Sequence, residues 1–138
     1  MPYLHVALAT GRSDEQKRSL IRGLTDATLR LLEVRPMDVH VYLWESDTKN
    51  IGIAGDEPNP ATVNDITVIL REGRHLEVKT AYMKALTQTM QECLEVVKED
   101  VHVVLSEVLS SNVGEGGVPM GPPSQPSWFA KAGAGQRY

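Results

Sequence analysis

Three observations predict an α+β fold made of tandem β-α-β repeats, a four-stranded sheet with two helices on one face. Segments 2–55 and 64–117 align without a gap at a constant offset of 62, and 20 of their 54 positions are identical. The shared positions include Gly11/Gly73, Arg12/Arg74, Lys17/Lys79 and the run Asp38-Val39-His40-Val41 against Asp100-Val101-His102-Val103. Within each copy the apolar period changes from two to about 3.6 and back to two, which reads as strand, helix, strand. Finally, Pro and Gly stand where those periods change, so each copy is a supersecondary unit that buries its apolar face against the other.

The first copy begins at Tyr3, where Leu4, Val6 and Leu8 alternate with Tyr3, His5 and Ala7. Gly11 turns the chain, and Ser13 with Gln16 forms a capping box for the helix that follows. Leu20, Ile21, Leu24, Ala27, Leu31 and Leu32 fall on one stripe of that helix, and Pro36 cannot continue it. Val39, Val41 and Leu43 then resume the period of two, with His40, Tyr42 and Trp44 opposite. The second copy repeats the order with Ile66, Val68 and Leu70, a helix from Leu76 to Val96, and Val101, Val103 and Leu105. Asn50-Ile51-Gly52 and Asn112-Val113-Gly114 supply turn residues for a short hairpin after each second strand.

Strand, helix and strand in that order form a crossover, so parallel pairing within each copy is expected. The strand positions opposite the helices carry Tyr3, His5, His40, Tyr42, Trp44, Thr67, Ile69, Arg71, His102, Val104 and Ser106. That face is too mixed for a second core and too apolar to stay wet, which predicts contact with other subunits in a symmetric ring. We expect one domain over 1–138: repeat one 2–55, a polar Pro-bearing linker 56–63, repeat two 64–117 and a tail 118–138. The tail's Pro and Gly favour disorder, whereas the adjacent Trp128 and Phe129 favour docking on a neighbouring subunit.

Composition limits the function classes. With 138 residues and 41% hydrophobic content the chain can bury one real core. No apolar run approaches the roughly 20 residues that cross a bilayer, and no secretory leader precedes Pro2, so a cytoplasmic address without membrane contact is the default. Cys93 stands alone, which excludes an internal disulfide and a cysteine-rich zinc site. The net charge of −4 argues against general nucleic-acid binding. No grouping has metal-ligand spacing and no phosphate-binding glycine loop is present, so no cofactor is expected.

The copies differ most tellingly at their first residue. Removal of Met1 would leave Pro2 as a secondary amine pinned at the head of a core strand, whereas its counterpart Asn64 lies inside the chain. An α-amino group titrates near 8, and burial or neighbouring arginines lower that value, so such an amine can be a neutral general base.

Met-Pro followed by a strand, Gly11-Arg12-Ser13-Asp14-Glu15-Gln16-Lys17, Leu20-Ile21-Arg22 and Asn50-Ile51-Gly52-Ile53-Ala54-Gly55 resemble the 4-oxalocrotonate tautomerase family of the tautomerase superfamily. The resemblance implies a β-α-β fold, amino-terminal proline catalysis and threefold assembly, here a homotrimer because the second copy replaces a separate subunit. It places the catalytic proline at Pro2 and the first substrate-binding arginine at Arg12 or Arg74. The second arginine's place holds His40 or His102, and that of the pocket phenylalanine Ile51 or Val113. The second half is also similar to the cis-3-chloroacrylic acid dehalogenases. Arg71-Glu72-Gly73-Arg74 matches their carboxylate-gripping arginine pair and Glu115 their water-activating glutamate, while Thr28 and Val104 replace their histidine and tyrosine.

The function these readings imply is a cofactor-independent tautomerase acting on a 2-hydroxydienoate or arylpyruvate-like carboxylic acid. Pro2 and Glu115 are the candidate catalytic residues; Arg71, Arg74, Arg12 and His40 are the candidate substrate-binding residues. The alternatives are a hydratase or dehalogenase of small unsaturated acids and a silent ligand-binding trimer.

Overall fold

A computed structural model of the chain describes residues 1–131; residues 132–138, the end of the tail, lie outside the described residues. Strand β1 (Tyr3–Ala9), helix α1 (Asp14–Leu32) and strand β2 (His40–Ser46) form the first unit, and β3 (Asn64–Arg71), α2 (Leu76–Leu94) and β4 (His102–Val108) the second. The main sheet runs β2-β1-β3-β4. β1 pairs parallel with β2 and β3 with β4, as crossovers demand, while β1 and β3 meet antiparallel.

The central pairing relates the copies by a local twofold. Leu4 opposes Val68, the repeat equivalent of Val6, and Val6 opposes Ile66, the equivalent of Leu4, so His5 and Thr67 lie on the axis. An interface that uses the same patch from both sides is the intramolecular analogue of a twofold dimer. It also reverses the ends: the turn after β3 comes to the head of β1, and the turn after β1 comes to the head of β3.

Leu4, Val6, Leu8, Ile66, Val68 and Leu70 of the inner strands are fully buried under Leu20, Leu24, Leu32, Val78, Leu86 and Met90 of the helices. On the edge strands Val41, Leu43, Val103 and Leu105 are only partly covered. The predicted capping box is present: Gln16 N donates to Ser13 Oγ and Ser13 N to Gln16 Oε1, each at 3.0 Å. Both helices end on a glutamate in the left-handed region, Glu33 at φ 51° and Glu95 at φ 56°. Both also anchor their first turn to the sheet, through Lys17–Glu45 at 2.9 Å and Lys79–Glu107 at 2.8 Å.

The two hairpins differ. In the second copy β5 (Gly114–Glu115) pairs with β6 (Val118–Pro119), whereas the first has a single bridge between Ile53 and Asp56. Gly116 and Gly117 both take positive φ between the short strands, a turn that matches strand twist. The tail then crosses its own chain, where the sequence left disorder or docking on a neighbour open. Its described part closes with the short helix α3 (Ser127–Lys131), whose Phe129 enters the core.

Candidate active site

The site lies at the head of β1. Pro2 is buried, and its carbonyl accepts from His40 N at 3.3 Å, which extends the β1–β2 pairing to the terminus. In the structure Met1 precedes it and carries the free amine. That amine is held below its ordinary value of 8.0, chiefly by burial; Asp38 and Glu115 pull it up and Arg71 and Arg74 push it down. A cavity of about 220 Å³ opens here, with Met1, Tyr3, Asp38, His40, Glu115 and Met120 in its walls.

Arg71 and Arg74 arrive from the turn after β3, carried there by the antiparallel pairing. Arg74 is 5% exposed, and burial with the adjacent Arg71 pushes its pKa down to about 10. Its Nη1 donates to the Arg71 carbonyl at 3.2 Å, while its Nε is buried without a partner in the structure. Arg71 donates through Nη1 to the Gly121 carbonyl of the tail, and its Nε is likewise buried and unpaired. Two adjacent guanidinium groups with unmet donors have the chemistry that suits a carboxylate.

His40 is exposed on β2, stacked on Tyr3 with ring centroids 4.6 Å apart and with Nδ1 3.2 Å from the Tyr42 hydroxyl. Glu115, on β5, faces the same cavity, and its Oε1 lies 3.6 Å from Arg35 Nη2. Arg35 also grips Asp38 with two bonds of 2.9 and 2.8 Å, which holds the Asp38 carboxyl below its usual range.

Of the residues expected from sequence, the structure brings Pro2, His40, Arg71, Arg74 and Glu115 to one end of the sheet. It does not bring Arg12. The same twofold that delivers Arg74 to Pro2 delivers Arg12 to Asn64, whose Oδ1 accepts from Arg12 Nη2 at 3.0 Å. The Asn64 amide donates in turn to the carbonyls of Ala61 at 2.7 Å and Asp100 at 3.2 Å, so it fills its place with hydrogen bonds instead of an amine. Thr28, too, is structural: it is fully buried, donates to Leu24 O at 2.8 Å and lies 2.8 Å from the Tyr82 hydroxyl.

Sequence reasoning missed Arg35, Asp38 and Met120. Asp38 was hidden by its repetition as Asp100, whereas Arg35 faces Val97 at the same repeat position, a difference of the kind that singled out Pro2. Met120 lies in the tail, where no repeat exists to compare.

Among the described residues no group of three or more His, Cys, Asp or Glu side chains could hold a metal ion. No described helix is long and apolar enough to cross a membrane.

Comparison with known proteins agrees with this fold. The family model for tautomerase enzymes matches residues 2–59 and again 66–121. A probable tautomerase of Halalkalibacterium halodurans is 40% identical over 55 residues, 40% of this chain and 90% of that protein. A probable tautomerase of Staphylococcus aureus is 36% identical over the same length and shares. Among solved structures, the R7 fused 4-OT, an asymmetric trimer, superposes with a TM-score of 0.80 at 34% identity, covering 85% of this chain and 94% of the other. A member of the cis-3-chloroacrylic acid dehalogenase family shares the fold at 23% identity and a TM-score of 0.78, over 93% of this chain and 90% of its own. With both halves matched by one family model and the whole fold matched by a fused relative, the chain belongs to the tautomerase family of isomerases.

Proposed function

We propose that the chain, once Met1 is removed, is a cofactor-independent tautomerase in which the Pro2 amine is the general base. The observation that carries the reading is the environment of the terminal amine at the head of β1. Here it is the Met1 amine, partly buried and depressed below 8.0, beside two arginines with unmet donors, and removal of Met1 would leave Pro2 next to the same groups. A neutral secondary amine takes a proton from the enol oxygen or from carbon of a 2-hydroxydienoate or arylpyruvate-like acid. It returns the proton elsewhere along the conjugated system. Arg71 and Arg74 bind the carboxylate and stabilise the enolate charge that develops. His40 and Tyr3 supply a ring-lined wall for the remainder of the substrate.

A second reading rests on Glu115, which lies in the same cavity as the amine. A carboxylate so placed can activate water for addition to a small unsaturated acid, the chemistry of a hydratase or dehalogenase. Water incorporation in the product separates it from proton relocation alone.

The chain functions as a homotrimer in this proposal. Trp44 is 55% exposed in the single chain and Tyr42 and Val104 are also open, on the sheet face away from the helices. Fused 4-OT proteins of similar fold form trimers.

The test is the intact mass of the purified protein together with an ultraviolet assay of phenylenolpyruvate ketonisation, wild type against Pro2→Ala. Loss of one methionine and ketonisation that falls by about 10²-fold or more in the mutant are the expected results. A processed terminus with equal rates in both proteins leaves hydration, or ligand binding without turnover, as the function.

A further inference from the structure

We propose that tail residues 120–129 are a strap that positions Arg71 for substrate binding, with Phe129 as its anchor. The inference rests on the tautomerase reading for what Arg71 binds.

The strap can be followed from the cavity to the core. Met120 forms part of the cavity wall, and its amide donates to the Val113 carbonyl at 2.8 Å. The next residue, Gly121, presents its carbonyl to Arg71 Nη1. Pro123 then packs over Gly73, within 3.7 Å of where a β-carbon would stand, and Gln125 Nε2 donates to the Gly73 carbonyl at 2.7 Å. Both contacts grip the turn between Arg71 and Arg74.

The far end is fastened harder than a surface tail requires. Ser127 N and Oγ bind the Glu33 carboxylate at 2.8 and 2.6 Å, and Trp128 Nε1 donates to the Leu31 carbonyl at 2.9 Å. Phe129, 1% exposed, stacks on His75 at 4.9 Å, directly after Arg74 in the chain. The strap therefore ties the C-terminal end of α1 to the start of α2 through residues 127–129, and reaches Arg71 and Gly73 through residues 121–125.

The physical need for such a device follows from the pair itself. Arg71 and Arg74 repel one another, and a free arginine has many rotamers to lose when it engages a ligand. A backbone carbonyl on Arg71 Nη1 offsets part of that repulsion and fixes the plane of the guanidinium before substrate arrives. The entropy of ordering is then spent in folding instead of binding. Phe129 touches no substrate; it is a positioning residue acting through Arg71.

The experiment measures steady-state kinetics with phenylenolpyruvate for Phe129→Ala, Phe129→Leu, Arg71→Ala and the double variant Phe129→Ala/Arg71→Ala. Calorimetric titration with phenylpyruvate accompanies it, in the Pro2→Ala background. Phe129→Ala is expected to raise KM and the phenylpyruvate Kd roughly tenfold, the loss that follows from misaligning a charge-assisted hydrogen bond, with kcat within about threefold. Phe129→Leu should restore most of the affinity, and Phe129→Ala should change nothing further once Arg71 is gone. Unchanged Kd in Phe129→Ala, or a loss that adds in full to that of Arg71→Ala, overturns the strap. Should Phe129→Ala not fold, Ser127→Ala, which releases the Glu33 attachment at the surface, is read by the same criteria. The titration is independent of turnover: an inactive wild type with coupled Phe129 and Arg71 defeats the tautomerase reading alone, and an active one without coupling defeats the strap alone.

Discussion

At the scale of single residues, the site is a balance of charges around one amine. Around the Met1 amine Asp38 is the first among the charges that favour the protonated form, with Glu115 behind it, and Arg71 and Arg74 oppose them; a Pro2 amine, one residue further on, would have the same groups as neighbours. A carboxylate near an amine raises its pKa, so deleting the carboxylate lowers it and leaves neutral base available in more acidic solution. Asp38→Asn is therefore expected to move the acidic limb of the kcat/KM profile to lower pH, and Arg71→Gln to move it to higher pH. The position of that limb reports the free enzyme's base. A limb that stays in place in both variants would mean that some other group is the base. These charges were unevenly legible in the sequence. Pro2 stands out because its repeat counterpart, Asn64, cannot do the same work, and Arg71 and Glu115 because they match the arginine pair and the glutamate of the cis-3-chloroacrylic acid dehalogenases. Arg12 and Arg74 are identical in the alignment, and only the antiparallel meeting of β1 with β3 decides which of them faces the amine.

At the scale of elements, the duplicated helices were legible down to the capping box because apolar spacing and cap chemistry are local. Their mutual contact was not, since it depends on residues that break the repeat. Gly23 of α1 stands where α2 has Ala85, and a β-carbon on Gly23 would lie 2.7 Å from Thr89 Cγ2. Thr89 is not free to turn away, because its Oγ1 donates to the Ala85 carbonyl at 2.9 Å. Alanine in place of a mid-helix glycine gains about 1 kcal/mol of propensity. Overpacking a closed interface costs about 1–3 kcal/mol, which outweighs that gain. Gly23→Ala should thus lower the melting temperature. In a Thr89→Ser background, which lacks the offending methyl, the same change should raise it. Thermal unfolding of the four proteins checks the reversal of sign, and a stabilised Gly23→Ala single variant would show that the helices part easily. The C-caps provide a second test on the element scale. Glu95 is exposed and left-handed, a conformation that glycine adopts without strain. Glu95→Gly should stabilise the protein by up to about 1 kcal/mol in urea unfolding.

At the scale of the whole molecule, the fold class could be read from the repeat because the polar and apolar periods agree in both copies. The path of the tail could not, since Phe129 packs on groups far from it in the sequence, such as His75. The outer face of the sheet is the part that a single chain leaves exposed at a cost. His5, Tyr42 and Trp44 stack as a shelf, with centroid separations of 5.1 Å for His5–Tyr42 and 6.1 Å for Tyr42–Trp44. Trp44 Nε1 donates to His5 Nδ1 at 3.0 Å, which orders the shelf before any partner meets it. Rings fixed in place lose little entropy on contact, and Tyr and Trp with one polar end are the side chains favoured at interfaces. If this face joins the subunits, a carboxylate at its centre must be desolvated without a partner, a cost of several kcal/mol. Trp44→Glu is accordingly expected to convert a species of three times the chain mass into monomer in light scattering, with the far-ultraviolet circular dichroism retained. Persistence of the threefold species in Trp44→Glu would place the subunit contact elsewhere on the molecule.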